Sequence, residues 1–204
     1  MNEKRCELVT WNQVYRLSRR LADAIRDSGF RPDIVVAIAR GGFVPARLLC
    51  DMLGLYDLVG FRIGHYEAGA HKNPQARLCS SLTQDVRDLN VLLVDDCSDT
   101  GDTLVLALEH LRSFVPRCIK VAVLHHKQVS PFVPDFYGQK IVAWRWLIYP
   151  WAVFEDLSGF LDAMHPCPGS PEEAIHQLER RHGIKVSRQT VEDVLSAMRH
   201  WRTL

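Results

Sequence analysis

Four aspartates, two threonines and one glycine fall between Asp95 and Thr103, inside a segment that reads VLLVDDCSDTGDTLVLAL from Val91 to Leu108. Two neighbouring carboxylates, Asp95 and Asp96, can accept hydrogen bonds from a pair of vicinal hydroxyls and bias a hydrated Mg²⁺ toward a site. Asp99, Thr100, Gly101, Asp102 and Thr103 then combine a glycine turn with two hydroxyls at the start of a helix-like run. Unpaired backbone N–H groups and the helix dipole favour a phosphate there. A sugar phosphate is the simplest ligand that meets both demands. Capping by Asp99, Thr100 or Thr103 alone needs one such residue rather than the cluster. Asp102 sets an anion beside an anion site, which is tolerable if its side chain faces away while its amide faces in.

The positions of these residues follow from the elements around them. NVLLVDD is a buried strand whose carboxyl end delivers Asp95 and Asp96 to the edge where open α/β sheets bind ligands. DIVVAIA (33–39) is a second such strand, and it ends at Arg40, Gly41 and Gly42, a turn that could bring backbone N–H groups and a guanidinium to a pyrophosphate. FVPARLLCDMLG after it is helix-like, with Pro45 in the first turn. Residues 12–28 space Val14, Leu17, Leu21 and Ile25 as an amphipathic helix, and residues 103–113 form another. LVGFRIG (58–64) and CIKVAVLHH (118–126) read as further strands. Strands alternating with helices imply an α/β fold on a mainly parallel central sheet with helices on both faces.

Residues 65–88 are polar, interrupted by Gly69 and Pro74, and lack a sustained period, which predicts a long loop. SPFVPDFYG is a proline-punctuated connector, and KIVAWRWLIYPW (140–151) is strand-prone up to Pro150. Helical spacing resumes over 154–164. HPCPGSP (165–171) is a linker, followed by two short helices over 172–182 and 189–201.

The whole chain has 204 residues, 47% hydrophobic and 24% charged, enough for one ordinary core with a short appendage. A net charge of +1 removes the bulk electrostatic argument for a nucleic-acid partner. The six cysteines form no CxxC pair, so they read as reduced thiols and not as a zinc or disulfide framework. The N-terminal residues lack an apolar signal region, and no run approaches the roughly 18 apolar residues of a membrane span. The expectation is a cytoplasmic protein without a membrane partner.

VLLVDDCSDTGDT resembles the phosphoribosyl pyrophosphate (PRPP) signature of type I phosphoribosyltransferases. HHKQVSPFVPDFYGQKIVAWRWLIYPW resembles the 6-oxopurine branch, especially bacterial xanthine-guanine and archaeal hypoxanthine-guanine enzymes; the shared order is Lys127, Trp146 nineteen residues later, then Pro150 and Trp151. The resemblance implies a phosphoribosyltransferase domain over 1–164 with a small hood that recognises the base, a linker at 165–171 and a helical extension at 172–204. It implies purine salvage: a phosphoribosyl group passes from PRPP to N9 of guanine, hypoxanthine or xanthine, with Mg²⁺ as cofactor. It also implies a homodimer or homotetramer. Asp95 and Asp96 then hold the ribose 2′ and 3′ hydroxyls and, through ribose or water, the metal. Asp99, Thr100, Gly101, Asp102 and Thr103 wrap the 5′-phosphate, and Asp99 also handles the proton at purine N7. Arg40, Gly41 and Gly42 form the pyrophosphate loop, in which the Ala39–Arg40 peptide is the strained one. The 65–88 segment becomes a flexible catalytic loop, with Tyr66 acting at closure and Lys72 touching pyrophosphate. Lys127 donates to the exocyclic O6, Trp146 stacks on the base, and backbone groups of Leu147 and Ile148 read its 2-position.

Ala152 stands where the family often has an acidic metal contact, with Glu155 or Asp156 as substitutes in a different register. The C-terminal helices carry Arg180, Arg181, Lys185 and Arg188 interleaved with acids, a pattern open to a small helix-turn-helix or to packing. Two other readings share the core: a PRPP-sensing regulator that binds DNA through that tail, and an enzyme for adenine or a pyrimidine.

Overall fold

The computed structural model describes residues 4–67 and 71–201, with the backbone alone at 65–67 and 71–75. The chain divides into two compact units. One holds residues 12–65 and 73–144. The other joins the N-terminal segment as far as Trp11 to the chain from Arg145 onward.

The larger unit is built on a six-stranded sheet. Its strands are β2 (Ile34–Ala39), β3 (Leu58–Glu67), β4 (His71–Ser80), β5 (Asn90–Ser98), β6 (Cys118–Lys127) and β7 (Phe136–Ile141), in the order β4-β3-β2-β5-β6-β7. The pairs from β3 through β7 are parallel, with Val35 opposite Leu92 and Cys97 opposite His125. Continuous β-branched and leucine runs mark strands buried on both faces, and those of β2 and β5 are almost wholly inaccessible. One face packs Ile34, Val36, Val91, Leu93, Val121 and Val123 against Leu104, Ala107 and Leu111 of α3 (Asp102–Arg112). The opposite face meets α1 (Trp11–Asp27) and α2 (Phe43–Leu53): Phe43 lies against Gly60 of β3, and Leu17 lies against Gly138 of β7.

The smaller unit pairs β1 (Cys6–Leu8) with β8 (Trp146–Ile148) in parallel and adds α4 (Val153–Asp162), α5 (Pro171–His182) and α6 (Arg188–Trp201). Ile148, Leu157, Leu161, Leu178, Val191 and Val194 share one apolar core. The helices α5 and α6, which fall in the extension expected behind a linker, pack with α4 and β8 in a common unit. Ser170 caps α5 by accepting from the Glu173 amide, with Pro171 at the first turn.

Two expectations change. Much of the expected loop over 65–88 is extended: β3 continues to Glu67 and β4 occupies 71–80. Residues 77–80 of β4 are exposed on the sheet's edge, so no apolar alternation was available to announce the strand. The strand-prone run at 140–151 is split. Its first residues close β7, which starts earlier at Phe136, and Trp146 opens β8 in the other sheet.

Candidate active site

Parallel pairing brings the carboxyl ends of β2, β5 and β6 to one edge of the sheet, and the predicted chemistry collects there. Gly42 N-caps α2 and Gly101 N-caps α3, so neither cap position offers a side chain to the helix amides. The simple capping reading of Asp99, Thr100 and Thr103 is thus not the arrangement at α3. Gly101 sits at φ +85°, in the left-handed region, and an added Cβ would stand 2.6 Å from the Phe132 Cβ. Beneath this turn the Ser98 and Ser130 hydroxyls lie 3.0 Å apart, and Ser130 Oγ donates to the Phe132 carbonyl at 3.0 Å. Sequence reading missed both serines, because two isolated hydroxyls separated by thirty-two residues carry no pattern.

The first loop approaches the acidic pair directly. A Cβ on Gly41 would collide with the Asp96 carboxylate, so only glycine lets this backbone come so close. The Ala39–Arg40 peptide, the one singled out by the resemblance, is cis. Asp95 is 8% exposed and accepts from the Asp96 amide at 2.9 Å. Burial, and then the neighbouring Asp96 charge, hold its carboxyl well above the usual aspartate range, against the pull of that hydrogen bond. Two carboxylates forced together in this way fit a cation that relieves their repulsion. Among the described residues, no three His, Cys, Asp or Glu side chains form a metal cage. The donor set therefore suits a Mg²⁺ held through water and substrate oxygens.

Asp102 does not simply turn outward as expected: it is exposed, yet Thr100 Oγ1 donates to its Oδ2 at 2.8 Å. Its charge stays beside the loop because the loop's own hydroxyl satisfies it.

Lys127, at the end of β6, is 2% exposed, and its Nζ lies 3.2 Å from Asp99 Oδ1. Trp144 joins them: its Nε1 donates to Asp99 Oδ1 at 2.9 Å, and the Lys127 ammonium sits 4.6 Å from its ring centroid. The sequence offered Trp146 as the aromatic of the site and passed over Trp144, two residues earlier. His125 is buried, and burial followed by the Lys127 charge lowers it to about 4, so it stays neutral at pH 7 and is a weak proton acceptor. Burial also pushes the Cys97 thiol far up, helped by the aspartates and opposed by Lys127, which leaves it inert.

The remaining predicted residues belong to other elements. Trp146, Leu147 and Ile148 form β8 of the smaller unit, and Glu155 and Asp156 occupy the first turn of α4 there, Asp156 buried. The side chains of Tyr66 and Lys72 are outside the described residues.

The phosphoribosyl transferase domain, as a family, matches residues 6–153, which span the acidic cluster at Asp95–Asp102, both glycine loops and Lys127. The chain belongs to the phosphoribosyltransferase family. A xanthine-guanine phosphoribosyltransferase of Ruegeria sp. (strain TM1040) is 31% identical over 153 residues, covering 70% of this chain and 83% of that one. Another, from Desulfotalea psychrophila (strain LSv54 / DSM 12343), is 28% identical over 148 residues, 72% of this chain and 87% of its own. Among solved structures, a purine phosphoribosyltransferase from Pyrococcus horikoshii Ot3 superposes with a TM-score of 0.63 at 31% identity, over 74% of this chain and 95% of that one. This phosphoribosyltransferase extends past its family match by α4, which starts at Val153, α5 and α6.

Proposed function

We propose that this enzyme transfers the phosphoribosyl group of PRPP to N9 of a 6-oxopurine, yielding a nucleoside 5′-monophosphate and pyrophosphate. The observation that carries the reading is the Lys127–Asp99 pair, with its donor and acceptor atoms 3.2 Å apart. A 6-oxopurine presents its O6 acceptor beside N7 on one edge, whereas adenine presents an N6 amino donor there. An ammonium donor next to a carboxylate acceptor matches O6 beside a protonated N7; facing adenine, the ammonium would meet another donor. The names of the relatives above agree with this class.

In this reading Asp95 and Asp96 take the ribose 2′ and 3′ hydroxyls, and the amides from Thr100 to Thr103 hold the 5′-phosphate. Arg40, Gly41 and Gly42 take the pyrophosphate, with Lys72 as a further contact. The C1′–O bond to pyrophosphate breaks as the N9–C1′ bond forms, and Asp99 accepts the proton that leaves N7. Asp95 and Asp96 would hold Mg²⁺ through ribose or water, with Glu155 or Asp156 as the proposed further contact, and the ion would supply charge neutralisation for the departing pyrophosphate. Trp146 stacks on the base, the backbone at Leu147 and Ile148 reads its 2-position, and Tyr66 acts when the 65–88 segment excludes water. A neutral oxopurine needs little activation, so positioning and charge stabilisation carry most of the rate. The setting is cytoplasmic purine salvage by a homodimer or homotetramer.

The regulator reading gains nothing from the tail. Arg188 pairs with Glu172 and Glu192, and Lys185 pairs with Glu179, so part of the basic surface is neutralised. Pyrophosphate release from PRPP and Mg²⁺ tests the proposal. We expect it to depend on guanine, hypoxanthine or xanthine and to be absent with adenine; release with adenine alone would overturn the 6-oxopurine assignment.

A further inference from the structure

Trp144 holds the base-facing charge pair in place. Its indole N–H and the Lys127 ammonium converge on the same Asp99 oxygen, at 2.9 Å and 3.2 Å. Its ring covers that ammonium at 4.6 Å. The side chain is 39% exposed, whereas Lys127 is 2% exposed. The half-exposed indole makes two directed contacts, one to each member of the pair.

From this we infer that Trp144 is a positioning residue of the phosphoribosyl transfer, acting on the base through Asp99 and Lys127. The inference rests on the 6-oxopurine reading. A carboxylate can rotate about its last bond, and a lysine ammonium sits on four flexible methylenes. Recognition of O6 and N7 together requires both groups to be set before the base arrives. The indole does this with one directed hydrogen bond to Asp99 and one face-on contact to Lys127, and it screens the pair from bulk water. A histidine, serine or aliphatic residue at position 144 would supply at most part of this. Trp144 also lies in the short stretch between β7 and β8, beyond the ladder hydrogen bonds of either strand, so its side-chain contacts and not sheet pairing fix it.

The test compares Trp144→Phe and Trp144→Ala with the wild type, using guanine and hypoxanthine against saturating PRPP and Mg²⁺. Phenylalanine keeps a ring over Lys127 and loses the donor; alanine loses both. Trp144→Phe should lower kcat/KM for the base about tenfold, the scale of one hydrogen bond to a charged group. Trp144→Ala should lower it about threefold further, as a partly exposed cation–π contact would. The KM for PRPP should stay within about twofold in both variants, because the Trp144 contacts go to the Asp99 carboxylate and Lys127 and not to the acidic pair or the Thr100–Thr103 amides assigned to phosphate. Partial recovery by phenylalanine and the split between the two substrates are results that general loosening of the fold would not give. Variants with unchanged base kinetics, or with equal losses toward base and PRPP, would overturn the positioning role while leaving the function intact. A wild type that forms nucleotide from no 6-oxopurine would overturn both.

Discussion

Gly41 and Gly42 are adjacent, yet a methyl group on each should damage different things. A Cβ on Gly41 would stand 2.6 Å from the Asp96 carboxyl carbon, and Asp96 is a partly exposed side chain that can swing aside. Little stability is lost by that motion, but the carboxylate leaves the position assigned to a ribose hydroxyl. A hydrogen bond to a charged group is worth about 1.5–3 kcal/mol, so Gly41→Ala should lower kcat/KM for PRPP by roughly 10- to 150-fold. A Cβ on Gly42 would instead meet backbone: the carbonyl of Val94, and the Ile38 carbonyl and amide at 2.8 Å and 2.9 Å. These atoms belong to β5 and β2, the two central strands. Overpacking against them costs about 1–3 kcal/mol or more. At roughly 2–4 °C per kcal/mol for a chain of this size, Gly42→Ala should lower Tm by about 2–12 °C. Steady-state kinetics in PRPP and thermal melts of the two variants, run side by side, check both halves. A Gly41→Ala enzyme with PRPP kinetics within threefold of wild type would refute the placement of Asp96 on the ribose. A Gly42→Ala protein that melts normally would refute the close approach of the loop to the sheet.

Asp95 and its neighbour should trade stability for binding: Asp95→Asn removes a buried charge repelled by Asp96 but keeps an oxygen for the Asp96 amide. We expect Tm to rise by a few degrees while PRPP binding, read by calorimetry, falls at least tenfold; a lower Tm would show that the charge is not the liability. His125 is lowered to about 4 from 6.5, so between these pH values the unfolded chain binds a proton that the folded chain excludes. Stability therefore rises with pH across that window and is lost as pH falls from 6.5 toward 4, by up to about 3 kcal/mol. His125→Gln should flatten that part of the Tm–pH curve, and an unchanged slope would assign the acid loss to other groups. Asp102→Asn removes an anion beside the phosphate site and should lower the KM for PRPP roughly fivefold, since like charges in water near contact cost about 1 kcal/mol. A higher KM would mean that the Thr100–Asp102 hydrogen bond orders the loop more than the charge opposes the ligand.

Much of the site was legible because its signals are local. The end of β5, the two glycine turns and Lys127 at the end of β6 are read from runs of apolar residues and what interrupts them, and parallel pairing brings them together. The features that escaped the sequence depend on distance along the chain or on surroundings. β4 is an edge strand exposed at 77–80, so period-two hydrophobicity had no burial to reflect. The run at 140–151 is uniformly strand-prone, and nothing in its composition says that Ile141 ends one sheet and Trp146 opens another. The C-terminal helices looked separate because HPCPGSP reads as a linker, yet their apolar stripes complete the core under Leu157 and Leu161. Trp144 and Trp146 are chemically identical in sequence; only geometry shows that the Trp144 indole meets Lys127 and Asp99. Asp102 illustrates the converse: its position was clear, but its partner, Thr100, was not.

The central claim is the class of base. The most direct measurement is the nucleotide formed from PRPP and Mg²⁺ with guanine, hypoxanthine, xanthine, adenine and uracil offered separately, identified by mass. The Lys127–Asp99 pair predicts the monophosphate of at least one 6-oxopurine and none from adenine or uracil. Formation of AMP or UMP, with no product from any 6-oxopurine, would contradict it.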